Sequence, residues 1–176
     1  MISLKLRRIR IFLTLILIVA LFPIAVKAQT WPYTDETLDY VLELPSAKWR
    51  AIKVPSVAHK KTEFSYGDRN PIHLRIRREL VDANMSPADM IHRKQRSDRV
   101  FLRGYVKGKS ESFAGQLNGA KYHYEYIKTG KPMAGLIYYL EADNRITYRL
   151  EFTGPSDELR SLSDQTEFIA RSFRLR

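Results

Sequence analysis

Between Ala120 and Thr153 the chain reads as three strands, the first and third with alternating side chains, joined by two short turn signals. Tyr122, Tyr124 and Tyr126 share one face of the first stretch, with His123 and Glu125 on the other. Gly130-Lys131-Pro132 turns the chain into Ala134–Ala142, and Asp143-Asn144-Arg145 turns it again into Ile146–Thr153. There Ile146, Tyr148, Leu150 and Phe152 alternate with Thr147, Arg149 and Glu151. Successive side chains on extended backbone point to opposite sides, so period two marks strands with one face in a core. Connections this short join strands that run antiparallel.

The same alternation places Ile72, Leu74 and Ile76 against His73, Arg75 and Arg77 in an earlier strand. Thr37–Leu44 predicts a first strand stopped by Pro45, after which a turn tucks Trp49 toward the core. Ala51–Val57 and Lys61–Ser65 are weaker strand segments; Val100–Lys107 reads as a strand, ahead of a turn-rich Gly108–Gly119 with room for a short one. Two helices are signalled. Ser86 as N-cap, Pro87 at the first helical position and Asp89 as capping-box acid open one that ends near Asp98. Its apolar content is thin, which predicts a surface helix. Asp157 and Glu158 open the other, where Leu159, Leu162, Thr166, Ile169 and Phe173 form one apolar stripe. Strands in meanders with interspersed helices make an α+β fold: a central antiparallel sheet with helices packed on it.

The start of the chain has a different character. Lys5, Arg7, Arg8 and Arg10 precede an apolar run from Ile11 to Ile24, and Val26-Lys27-Ala28 offers tolerated residues at −3 and −1. This is the pattern of an export signal over residues 1–28, cut between Ala28 and Gln29; uncut, it would act as an anchor. The apolar run is shorter than the roughly 20 residues of a spanning helix. No cysteine stands at the cleavage point, so a lipid-anchored bacterial lipoprotein is excluded. Residues 29–35 then form a lead-in and 36–176 a single domain. The whole chain carries +11; without the five basic residues of the leader, 25 basic residues face 19 acidic ones, leaving +6. With no disulfide possible, the core alone must hold the domain.

From Thr34 onward the chain resembles the PsbP-like superfamily, the α/β/α sandwich of the extrinsic photosystem II subunit and of DcrB-type periplasmic proteins. The residues that carry the resemblance are Tyr40-Val41-Leu42-Glu43-Leu44-Pro45 through Trp49, Tyr138-Tyr139-Leu140, Tyr148 through Pro155, and Ser172-Phe173. The family often places Gly before an aromatic at the first strand, where this chain has Leu38-Asp39. The resemblance implies helices on both faces of the sheet and non-catalytic, accessory or binding roles. It carries over no binding motif.

Catalytic patterns are sparse. Gly104 through Ser110 has three residues between its glycines where a phosphate loop needs four, and no helix follows. His59, His73, His92 and His123 lack the spacing of a zinc helix, and no cysteine is present, so no metal or cofactor is read. What remains is two surfaces. The first is a polar sheet face of His73, Arg75, Arg77, His123, Glu125 and Arg149, able to hold an anion or do acid–base work if these side chains converge; the plainer alternative is a solvated face. The second is a basic run of Arg93, Lys94, Arg96, Arg99 and Arg103, suited to an anionic surface or simply to solubility. Export removes the chain from most nucleic acid, and no transmembrane segment follows the leader.

Three functions fit these surfaces. The preferred one is an exported, non-catalytic accessory or binding protein of the bacterial cell envelope, periplasmic or secreted, docking a protein or anionic partner. The alternatives are a hydrolytic enzyme with His123 or His73 as base and Arg149 as anion guide, and a weak binder of anionic membranes through the basic helix.

Overall fold

A computed structural model of the chain describes residues 30–53, 61–69, 71–97 and 101–176. The leader and its cleavage point, Ala28–Gln29, lie outside the described residues, as does the second half of the expected strand after Trp49. The strands are β1 (Trp31–Tyr33), β2 (Tyr40–Leu44), β3 (Trp49–Lys53), β4 (Lys61–Tyr66), β5 (Ile72–Leu80), β6 (Val106–Phe113), β7 (Gly119–Lys128), β8 (Lys131–Asp143), β9 (Ile146–Pro155) and β10 (Arg174–Leu175). The helices are α1 (Pro87–Ser97), α2 (Ser156–Ser161) and α3 (Ser163–Ser172). Seven strands form one antiparallel sheet in the order β3-β4-β5-β9-β8-β7-β6, and β1, β2 and β10 form a small second one. The architecture is α+β and mostly antiparallel sheet.

Each face of the large sheet has its own core. On one face Phe64, Leu74, Ile76, Tyr138, Leu150 and Phe152 pack with Leu159, Leu162, Ile169 and Phe173 of the helical segment and with Leu42 of β2. The expected stripe of the last helix is therefore buried as a unit, Thr166 included. Tyr40 lies on Phe173, with ring centres 4.8 Å apart, and donates its hydroxyl hydrogen to Thr62 Oγ1 at 2.8 Å. On the opposite face Met90 and Ile91 of α1 pack with Ala120, Tyr122, Tyr124, Ile137 and Tyr139. The thin apolar content of α1 thus suffices to dock it, with one narrow face down. The Ser86–Asp89 capping box is present: Asp89 N donates to Ser86 Oγ at 3.2 Å, and Ser86 N to Asp89 Oδ2 at 3.2 Å.

Several features depart from the sequence reading: the first expected strand begins at Tyr40 rather than Thr37, and Arg174–Leu175 adds an unread strand, β10. Trp31–Tyr33, read as lead-in, pairs with Leu42–Leu44 as β1. The last helix is two, broken at Leu162 (φ −100°, ψ 13°) between Ser161 and Ser163. The Ser161 hydroxyl donates to the Glu158 carbonyl at 2.7 Å, competing with the backbone ladder. The strand expected over Val100–Lys107 starts only at Val106, because Gly104 adopts a left-handed φ of 62° that turns the chain. It then runs through the turn-rich stretch to Phe113 as an edge strand, where a mostly polar, exposed segment leaves no alternation to read.

Candidate functional site

Strand register divides the six residues of the expected polar face. Arg77 stands opposite Arg149, Arg75 opposite Glu151, and His73 opposite Thr153. His73, Arg75, Arg77 and Arg149 share a face, the one that also bears Tyr122, Tyr124 and Tyr126. His123 stands opposite Leu136, which stands opposite Phe152, so His123 and Glu125 lie on the other face. The reading that sets His123 with Arg149 is corrected: the sheet separates them. The alternation within each strand holds, but it fixes which residues oppose each other along a strand, not which sides of two strands align.

His123 instead borders a cavity of about 250 Å³ with Lys109, Glu111, Lys121, Ser163 and Glu167. Its charges are internally matched, Lys121 Nζ lying 3.3 Å from Glu111 Oε2 and 3.7 Å from Glu167 Oε2. Glu125 accepts from Ser156 Oγ at 3.3 Å and lies 3.6 Å from Arg160 Nη2. Both residues belong to the seam between the sheet and the last helices.

The remaining residues form a charged ladder. α1 packs over β6, β7 and β8, leaving the opposite half of the same face without a described helix over it. Across that half, Lys61, Arg77 and Arg149 stand in one cross-strand row, and Glu63, Arg75 and Glu151 in the next. Like charges directly opposite on neighbouring strands repel, so the row of three cations needs counter-charges. Arg149 obtains them from Glu151 (Nη2 to Oε1, 2.7 Å) and Glu79 (Nη1 to Oε1, 3.6 Å). Burial disfavours the Arg149 charge, yet Glu151, with Tyr139 and Glu79 behind it, outweighs burial and holds the guanidinium above its ordinary pKa. Glu151 also accepts from the Tyr124 hydroxyl at 3.2 Å. Glu63 is shared by Lys61 and by Arg75, whose Nε lies 3.1 Å away. The Lys61 hydrogen bond, with Arg75 adding to it against partial burial, draws the Glu63 carboxyl below its usual range.

Four cations (Lys61, Arg75, Arg77, Arg149) thus meet three carboxylates (Glu63, Glu79, Glu151), and all three are engaged elsewhere than at Arg77. Arg77 has no carboxylate partner among the described residues, and its Nε is buried without a hydrogen bond. Half-buried between two other cations, it is the ladder's unmet charge. Sequence reasoning names Arg77 but misses Lys61, Glu63 and Glu79, which become visible only once register places them beside it.

At one end of the ladder a cleft of about 280 Å³ lies under α1, lined by Glu79, Asp82, Met85, Met90, Arg93 and Lys94. The basic run is dispersed. Arg93 pairs with Asp82 at 3.3 Å. Lys94 is half-buried in α1, Arg96 lies on α1, and Arg99 is outside the described residues. Arg103 sits on the 101–105 loop, where its carbonyl accepts from Ile127 N at 2.8 Å. Among the described residues no cluster of three or more metal-ligating side chains occurs, and no helix is long and apolar enough to cross a membrane. His73 stands four residues from Arg77 along β5, about 13 Å on extended backbone, so it does not converge with Arg149.

Solved structures of several proteins, PsbP among them, share this fold. The chain matches cyanobacterial PsbP (CyanoP) from Synechocystis with a TM-score of 0.62 at 13% identity, over 88% of this chain and 96% of that one. It matches the Ran-binding protein Mog1p of Saccharomyces cerevisiae at 0.60 and 7%, over 85% and 96%. LpqN of Mycobacterium tuberculosis, a protein involved in cell envelope biogenesis, matches at 0.52 and 18%, over 84% and 90%. A longer structure from Bacteroides thetaiotaomicron also matches, and there the chain spans about half, 49%, of its length. The sequence itself matches no family model and no curated protein. The likeness is one of fold.

Proposed function

We propose that the chain is an exported, non-catalytic accessory protein of the bacterial cell envelope that docks an acidic partner on the open half of its sheet. The observation that carries this is Arg77. A guanidinium that meets no counter-charge among the described residues, between Lys61 and Arg149, is held ready for a carboxylate supplied from outside, which it can engage with paired donors. The surrounding ion pairs fix its neighbours in place, so little ordering is required on binding.

Three further points support the reading. The leader over 1–28 and cleavage before Gln29 suit a periplasmic or secreted location. The helices set against both faces fit an α/β/α sandwich over 36–176, extended at its start by β1. Proteins of like fold include one named for Ran binding and one for envelope biogenesis, which favours a docking role. Against the hydrolytic alternative, His123 and Arg149 lie on opposite sides of the sheet.

The test has two arms. Intact mass of the exported protein should begin at Gln29; retention of Met1 contradicts the leader. Partner capture from envelope extracts should recover a reproducible acidic protein with the wild type and lose it, by tenfold or more, with Arg77→Glu. Equal recovery by both proteins removes the ladder as the docking site.

A further inference from the structure

The end of the sheet formed by the 101–105 loop and the β7–β8 turn carries a second surface, of different chemistry from the ladder. Phe101 is 86% exposed, Val106 58% and Ile127 42%. They belong to one corner: Arg103 O accepts from Ile127 N at 2.8 Å, a Cβ on Gly104 would lie 3.0 Å from the Ile127 side chain, and Val106 pairs with Glu125 two residues before Ile127. The loop is tethered from beneath, since Leu102 and Tyr105 pack into the core under α1 and the Tyr105 hydroxyl meets that of Tyr122. Its apolar outer residue is therefore held outward by a fixed base.

Arg103 on the loop, Lys107 on β6, Lys128 at the end of β7 and Lys131 at the start of β8 are all exposed at this end of the sheet, the three lysines on the tyrosine face and Val106 and Ile127 on the other. Lys128 and Lys131 face each other across the turn, whose Thr129 and Gly130 adopt left-handed φ angles of 49° and 77°. None of the four cations is in an ion pair among the described residues, and the nearby Glu125 is taken by Arg160. The corner has a surplus of four positive charges and, among the described residues, no carboxylate answering them.

We propose that this corner is a docking tip for an anionic lipid surface, with Phe101, Val106 and Ile127 entering the headgroup layer and the four cations resting on its phosphates. Two observations favour lipid over an acidic protein. Phe101 projects from the loop and Val106 and Ile127 from the ends of β6 and β7, and neither of the cavities described above includes any of them. A fluid interface takes up such points one by one, whereas a protein partner requires a shaped patch. Basic residues at a charged bilayer and apolar side chains in its interface act together, which is how short surfaces reach lasting attachment. The tip is independent of Arg77, at the opposite edge of the sheet from β3 and β4.

The test uses the protein purified in its exported form, with vesicles of phosphatidylcholine alone or mixed with phosphatidylglycerol. Binding should require phosphatidylglycerol and fall about 25-fold in Lys128→Ala/Lys131→Ala, from about fivefold for each basic residue near the surface. In Phe101→Trp, emission above the background of Trp31 and Trp49 should shift to the blue on adding anionic vesicles. Arg77→Glu should bind vesicles as the wild type does. The proposal is overturned if anionic vesicles are not bound, if the double variant binds unchanged, or if the added emission of Phe101→Trp stays put while binding occurs. Preference for soluble poly-glutamate over the vesicles would assign the corner to an acidic protein instead, and also overturns it.

Discussion

Arg77 faces Lys61 on one neighbouring strand and Arg149 on the other, and its Nε is buried without a hydrogen-bond partner among the described residues. Replacing it with methionine keeps the stem's packing against the sheet while removing the repulsion and the unmet donor. Arg77→Met should therefore leave stability unchanged or raise it, by up to about 1 kcal/mol, while weakening partner capture. Denaturant midpoints read the first effect and pull-down yields the second. A loss of stability would make Arg77 a structural residue and remove the argument for docking. Arg149 behaves in the opposite sense. Its counter-charges Glu151 and Glu79 are largely buried beside it, so truncating Arg149 strands two carboxylates.

At the scale of elements, the strand pattern is largely legible in the sequence and the pairing of faces is not. β5, β7 and β9 stand where alternation puts them and β8 where its two flanking turn signals put it, because a one-residue slip would carry the side chains of one core to the wrong face. β6 is obscured because an edge strand of mixed polarity has no apolar side to reveal it. The tyrosines of β7 are core, as their shared face suggests, yet the core they enter is that of α1, on the face shared with Arg149. Nothing in one strand's period says which way up it is laid against the next; two cores on one sheet leave both assignments open. The candidate site is accordingly half visible: His73, Arg75, Arg77 and Arg149 do share a face, while His123 and Glu125 belong to the other side.

The tyrosine row itself depends on β8. Tyr122, Tyr124 and Tyr126 stack at about 6 Å centre to centre, and Tyr124 lies over Gly135, where an added Cβ would come within 2.1 Å of its Cζ. Only a residue without a side chain lets the ring cross β8 and reach Glu151. Gly135→Ala should destabilise the fold by about 1–3 kcal/mol and disturb the Arg149–Glu151 pair, whereas an alanine at the exposed Gly130 should not act through packing. Equal stability of wild type and Gly135→Ala would show that the ring has somewhere else to go.

For the whole molecule, charge and pH are linked through the ladder and the helix seam. Glu63, bonded by Lys61 and Arg75, and Glu167, bonded by Arg171 and Lys121, both have carboxyl groups lowered from their ordinary value of 4.5. A depressed carboxylate contributes stability that is present above its unfolded pKa and lost as pH falls through the folded one. Thermal stability should therefore hold near neutrality and decline below about pH 4.5, and Glu63→Gln should flatten part of that decline. A midpoint rising as pH drops from about 5 to about 3 would contradict these pairings.

The docking reading rests on which half of one sheet face meets a partner, and site-directed photocrosslinking in the exporting cell addresses that most directly. A benzophenone side chain at His73, exposed on the Arg77 face, should yield a discrete adduct that disappears when Arg77→Glu is added. The same probe at Glu158, exposed on α2 over the other face, should yield none. Adducts from Glu158 and none from His73 would place the partner on the helix side and refute the charged ladder as the docking surface.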